Sequence, residues 1–297
     1  MSKKNDNHQQ EIDKELENAS SKNKEKDSKK PKQETSDSSG KVLGDQIKDG
    51  QESHDRNPRS TFLCSLTAGL EIGFSYLLVC TVFYFFKDYV SEKALYKLIA
   101  FVYPFGFILT ILNHSLLFTE QTTLQSLPVL NRKRSLWSLL KTWGLIIFGN
   151  LVGGCFIATV FIWLGPALKI FDEKSIISIA KHVAHYDWLV ILVSAILAGW
   201  LMGLLSYMIT SAKRTLSYIT IIYMVTGVLA LTGLHHSIVG NIEVFAGLLL
   251  SPEISLVDYF SFLFIALIGN AIGGVVFVAL IKYGAFVLNV DEKNNLY

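Results

Sequence analysis

The sequence predicts an all-α membrane protein of six transmembrane helices, built as two inverted three-helix repeats with two broken helices. Three observations predict it. From Thr61 onward the chain is a succession of long apolar runs. Two of those runs are interrupted by polar residues. Short sequence matches also recur in the same order at offsets of 120 to 130 residues.

The first 58 residues stand apart. They hold seven residues of the apolar set against twelve Lys/Arg and thirteen Asp/Glu. Such a composition cannot bury enough apolar surface to offset chain entropy. Residues 1–58 are therefore expected as a disordered hydrophilic tail, 59–290 as the transmembrane domain, and 291–297 as a short cytoplasmic tail. No apolar core precedes residue 61, so no cleavable signal peptide is expected. The tail's charges are mixed and form no basic stripe, which argues against nucleic acid as a partner. Cys64, Cys80 and Cys155 lie in apolar runs without metal spacing. Neither a disulfide, a metal site nor a cofactor is expected.

The first apolar run is Phe62–Phe86, with Glu71 its one charge. The second is Leu98–Phe118, continued past Thr119-Glu120-Gln121-Thr122 by Leu124–Leu130 and closed by Arg132-Lys133-Arg134. The third is Thr142–Leu168, and a polar loop with Asp172, Glu173, Lys174 and Lys181 follows it. The fourth is Trp188–Thr210, ended by Lys213-Arg214. The fifth, from about Thr215 to Leu250, is too long for one ordinary span of ~20 residues. Near its middle stands Leu234-His235-His236-Ser237-Ile238-Val239-Gly240-Asn241. The sixth is Tyr259–Ile281. Runs of this length read as helices, because an open strand edge finds no hydrogen-bond partner in lipid.

Orientation follows from lysine and arginine. With the N-terminus inside, the inner flanks carry ten of them and the outer loops six. That bias places both termini in the cytoplasm of a multi-pass protein of the cell (inner or plasma) membrane.

The repeat is carried by Phe148-Gly149-Asn150-Leu151-Val152-Gly153-Gly154, matched 120 residues later by Ile268-Gly269-Asn270-Ala271-Ile272-Gly273-Gly274. Asn113-His114-Ser115 matches His235-His236-Ser237, and Ala68-Gly69 matches Ala198-Gly199. Each half has three spans. Three is odd, so the halves enter the bilayer in opposite senses, which puts a site at their interface near the midplane. The spaced glycines let helix backbones approach closely.

Tyr103-Pro104-Phe105-Gly106-Phe107, Leu117-Phe118-Thr119, the two Gly-Asn-x-x-Gly-Gly runs and His236-Ser237-Ile238 together resemble the formate/nitrite transporter family over residues 60–290. The resemblance implies an aquaporin-like fold with two broken helices. It also implies a homopentamer with one pore per protomer, and passage of small monovalent anions or their acids across the lipid bilayer. The family's central histidine falls on His236, with Thr119 and Asn270 as its partners. Phe107 and Leu229 match the inner constriction, and Leu117 and Phe118 the outer one. Lys181 stands nearest to the family's anion-attracting vestibule lysine. A bare anion in hydrocarbon is prohibitively costly and a neutral acid is not. A histidine, titrating near neutrality, suits protonation of the solute in passage.

Departures accompany the match. His235 stands where the family usually has an acid, Leu116 where an acid precedes Leu-Phe-Thr, and Gly240 where an asparagine is common. Glu71, Glu120 and Glu243 lie within or beside apolar runs. With His114 and His235 they form a candidate polar relay, since intramembrane carboxyls are paired, protonated or facing water. That set leaves a second reading open, a proton- or cation-coupled transporter, and a third is a non-conducting regulatory membrane protein. No nucleophile–base set appears, and His235 and His236 point to different helical faces. An enzyme is not expected.

Overall fold

In the computed structural model, residues 10, 12–14, 16 and 34–294 are described, the last with side chains only for 40–289. The described chain is helical, with no strand among the described residues. Six of its segments are long and apolar enough to cross a membrane, and a shorter apolar helix accompanies them.

Helix α1, Glu34–Asp55, corrects the sequence expectation. It lies inside the stretch expected to be disordered; most of residues 1–33 are outside the described residues. Leu43, Ile47 and Gly50 recur at i, i+4 and i+7, so they share one face. Leu43 and Ile47 bury that face with Ile12, Leu16, Leu127 and Ala279. A segment-wide average dilutes three residues on one stripe, which is why composition misses it.

The six crossings follow. Helix α2 is Pro58–Phe86, started by the Asn57 side chain accepting from the Arg59 N–H at 2.9 Å. Helix α3, Glu92–Ile99, leads into the second crossing, whose first part is α4, Pro104–Leu112. Helix α5, Phe118–Leu130, completes it. The third crossing is α6, Leu136–Leu168. The polar loop after it folds as α7, Glu173–Ala184, capped by Asp172. The fourth crossing is α8, Trp188–Ser211. The fifth divides into α9, Thr215–Thr232, and α10, Ser237–Leu250. The sixth is α11, Leu256–Gly274, which runs through a π-helical stretch, Val275–Leu280, into α12, Ile281–Asn294. Helix α12 thus continues past 290, the expected start of the tail; residues 295–297 lie outside the described residues.

Two helix pairs form the frame, α2 with α6 and α8 with α11. Both depend on missing side chains. A methyl group at Gly69 would collide with the Asn150 carbonyl, and one at Gly199 with the Asn270 carbonyl. Backbones this close gain dispersion contacts that lipid tails cannot supply. By the parity of crossings, the connections 87–103, 169–187 and 251–255 share one side of the molecule. Helix α1, residues 131–135 and 212–214, and α12 share the other.

Candidate functional site

Two helix breaks face each other between the halves. Helix α4 stops at Leu112, and His114 then takes a left-handed conformation at φ 55°. Helix α9 stops at Thr232, and Gly233 takes the same conformation at φ 68°. The Ser115 N–H donates back to the Thr110 carbonyl, and the Leu234 N–H to the Leu229 carbonyl, both at 3.0 Å. This correspondence pairs His114 with Gly233 and Leu117 with His236, an offset of 236 − 117 = 119 residues. Matching His114 to His236 by residue type is therefore three residues out of register. Backbone geometry, set by the turn, decides the alignment.

One asparagine secures each break. Asn150 Oδ1 accepts from the Phe118 N–H at 2.9 Å, at the start of α5. Its Nδ2 donates to the Ser65 and Leu116 carbonyls, both at 2.8 Å. Asn270 Oδ1 accepts from the Ser237 N–H at 2.8 Å, at the start of α10. Its Nδ2 donates to the Ala195 and His235 carbonyls at 2.8 and 3.1 Å. Asn270 thus holds the backbone on both sides of His236 rather than the imidazole itself.

The imidazole is held by Thr119. His236 Nε2 lies 2.7 Å from Thr119 Oγ1, and His236 Nδ1 accepts from the Val239 N–H at 3.3 Å. A backbone N–H can only donate, so Nδ1 is the bare nitrogen and Nε2–H points at the threonine. That leaves the threonine hydroxyl hydrogen available to a third group. The ring of Phe107 meets His236 edge-on at 5.1 Å. Beside it the buried Ser237 hydroxyl has no partner among the described residues.

A cavity of about 910 Å³ reaches His236 from the side of the 87–103 and 169–187 connections. Tyr96, Tyr103, His182, His235 and Glu243 are on its wall, as are Lys93 and Lys97. His182 stacks on Tyr96 at 3.7 Å, and burial holds its imidazole below the ordinary range despite the opposing Glu92 charge. His235 receives no carboxylate: Ser194 Oγ sits 2.8 Å from its Nδ1 and accepts its backbone N–H at 3.0 Å. Lys181 is not on this wall; it is ion-paired with Glu253. The lysines that face the cavity are Lys93 and Lys97, one turn apart on α3. Their i, i+4 spacing was the available sequence signal.

Phe107, Leu117, Phe118 and Leu229 are at most 1% exposed and belong to one apolar cluster. The two pairs lie on opposite sides of the break. Phe107 follows the cavity residue Tyr103 by one turn, the rings 5.4 Å apart, and Leu229 precedes the cavity residue Ala230. Leu117 and Phe118 open α5, which leads to the opposite side. The first pair belongs to the vestibule half and the second to the α1 half.

The candidate relay is not assembled. Glu71 accepts from Asn113 Nδ2 at 2.6 Å, Glu120 accepts from Gln121 Nε2 at 2.7 Å, and His114 is exposed. Only His235 and Glu243 share the cavity wall with His236. The reason is geometric: residues 112–114 lie on the outer flank of their break, so His114 faces away from the carboxyls within the fold.

Sequence reasoning also missed a polar patch where α1 meets α5. Gln125 Nε2 donates to Ser53 Oγ at 2.8 Å, and Ser53 Oγ donates to Gln121 Oε1 at 3.3 Å. His54 Nε2 is 3.0 Å from the Gln125 carbonyl and its Nδ1 3.0 Å from Ser138 Oγ.

The formate/nitrite transporter family model matches residues 41–284. The inner membrane protein YfdC of Escherichia coli is 27% identical over 82% of this chain and 78% of its own. The nitrite transporter NirC of Salmonella typhimurium is 28% identical over 75% of this chain and 82% of its own. A solved structure titled as a pentameric formate channel with formate bound superposes with a TM-score of 0.67. It shares 21% identity and covers 77% of this chain and 98% of that one.

Proposed function

The chain belongs to the formate/nitrite transporter family, and on that premise we propose that it carries a small monovalent weak-acid anion, or its conjugate acid, through each protomer. Membership sets it among multi-pass membrane transport proteins rather than enzymes. The observation that carries the reading is the Thr119–His236 contact, made between two broken helices at the floor of a vestibule. A solute reaching that floor meets the hydroxyl hydrogen of Thr119 and the Ser237 hydroxyl, which has no partner among the described residues. These neutral donors suit a small oxyacid. Phe107 and Leu229 narrow the path above them, and Leu117 and Phe118 below, by excluding water.

Proton donation by His236 requires an imidazolium. Its Nδ1 then takes a proton and gives up the Val239 N–H. The neutral ring described above instead donates its Nε2–H to Thr119, whose hydroxyl hydrogen is then free for the solute. Lys93 and Lys97 supply positive potential at the vestibule. Assembly as a homopentamer, with both termini cytoplasmic, completes the proposal; it is supported by the pentameric structural neighbour and by the lysine and arginine bias.

Radiolabelled formate, nitrite, acetate, lactate and hydrosulfide uptake into proteoliposomes, at several pH values, tests this. Uptake of at least one, rising as external pH falls, is expected. No uptake of any would overturn it. Glu243 on the vestibule wall favours one second reading, cation transport. Reversal potentials in a planar bilayer separate the two, since a cation-selective current sinks the anion reading.

A further inference from the structure

The vestibule wall carries a carboxyl that the central site does not use. Glu243 lies seven residues beyond His236 on α10, two helical turns. Gly240 and Glu243 share one face of α10, and both border the cavity together with His236, the residue that caps the helix. Glu243 is 7% exposed. Among the described residues no ion pair reaches it; Lys181 is paired with Glu253 and Lys87 with Asp172. Tyr96 and Tyr103 border the same cavity, and neither is basic. The basic groups of the cavity are Lys93, Lys97, His182 and His235. Lys97 donates to the Leu231 carbonyl at 2.5 Å, and His235 is engaged by Ser194.

We propose that Glu243 is the vestibule-side proton donor for the permeating weak-acid anion, handing over its proton before the solute reaches Thr119 and His236. The proposal rests on the weak-acid reading above. Atoms and charges balance in one step. The Glu243 O–H bond breaks, a bond forms between that proton and a solute oxygen, and the glutamate oxygen keeps the electron pair. A proton from vestibule water restores the carboxyl, so one proton travels with each anion. A membrane carboxyl without a cation partner is protonated or faces water, and the vestibule offers Glu243 both states. Its ionised form repels the next anion, which ties anion binding to reloading. Neutralisation here also relieves His236 of a role that its Val239 contact opposes.

The test uses the full-length chain in proteoliposomes, with labelled formate uptake and an internal pH dye, for wild type, Glu243→Gln and Glu243→Asp. The amide keeps the shape and a hydrogen-bond donor but transfers no proton. Uptake and proton co-movement by Glu243→Gln should fall about 100-fold, the scale of a positioned acid, and Glu243→Asp should retain part of both. Infrared difference spectra on adding formate give a readout independent of flux. Wild type should lose a protonated-carboxyl band that Glu243→Gln lacks. Wild-type uptake and proton coupling in Glu243→Gln, or a band unchanged by formate, would overturn the assignment. If wild type moves no weak acid while the band still responds, transport fails as a reading and the proton donor stands.

Discussion

Thr119 Oγ1 and His236 Nε2 lie 2.7 Å apart although 117 residues separate them in the chain. Each belongs to a different broken helix, so the contact reports how the two halves close on one another. Thr119→Val keeps the shape and removes the hydroxyl. The Nε2–H is then buried without a protein partner, a loss of about 1–3 kcal/mol. Lower thermal stability and strongly reduced uptake are expected, and Thr119→Ser should restore both. Unchanged uptake by the valine variant would remove the pair from the solute's path.

Asn270 serves three backbone groups at once, and Asn150 serves the equivalent three in the other half. Asn270→Ala leaves a donor and two carbonyls unsatisfied in a fully buried place. The cost exceeds that of Thr119→Val, because each orphaned group carries its own desolvation penalty of about 1–3 kcal/mol. Asn150→Ala should be equally damaging, although Asn150 is remote from the imidazole. Thermal unfolding in detergent checks this. A mild Asn150→Ala beside a severe Asn270→Ala would mean that Asn270 acts on His236 by more than its backbone.

Much of this was legible in the sequence because lipid leaves the backbone few options. Six apolar runs had to become helices, and polar residues inside two of them had to mark breaks. His236 and Thr119 were found by their motifs, and they do meet. Register was harder. His114 looks like His236 as a residue, yet its left-handed backbone makes it the counterpart of Gly233. Helix α1 was hidden because two apolar residues, Leu43 and Ile47, on one face hardly alter the average of 58. The vestibule lysines were hidden because proximity in sequence to the fourth span singled out Lys181. Only the folded chain reveals that Glu253 engages it.

That displacement of roles can be measured. Lys181 holds Glu253 at the surface, and exposed ion pairs contribute about 0–1 kcal/mol. Lys181→Ala should alter uptake little. Lys93→Ala combined with Lys97→Ala removes two positive charges from the cavity wall. Apparent affinity for the anion should fall several-fold, and the loss should shrink at high salt as screening already weakens the wild type. Kinetics of uptake at low and high ionic strength decide it. A large effect of Lys181→Ala with none from the double substitution would return the vestibule role to Lys181.

Helix α1 should dock in a pH-dependent way. Burial holds the His54 imidazole below its ordinary 6.5, opposed in part by its bond to the Gln125 carbonyl, with Arg134 acting in the same direction as burial. Its value when docked is therefore lower than when α1 is free. Between those two values the free helix binds a proton that the docked one excludes, so docking is stabilised as pH rises. The contribution is complete above about 6.5 and is lost as pH falls from there towards the docked value. Hydrogen exchange across residues 41–55 should show α1 well protected at about pH 7.5 and less so at about pH 5, after correction for the intrinsic rate. His54→Gln keeps a donor and an acceptor but does not titrate in this range, so its protection should vary far less between the two. Equal protection of the wild-type helix at both values would show that His54 does not govern docking. Loss of protection at low pH in both proteins would show that another group governs docking.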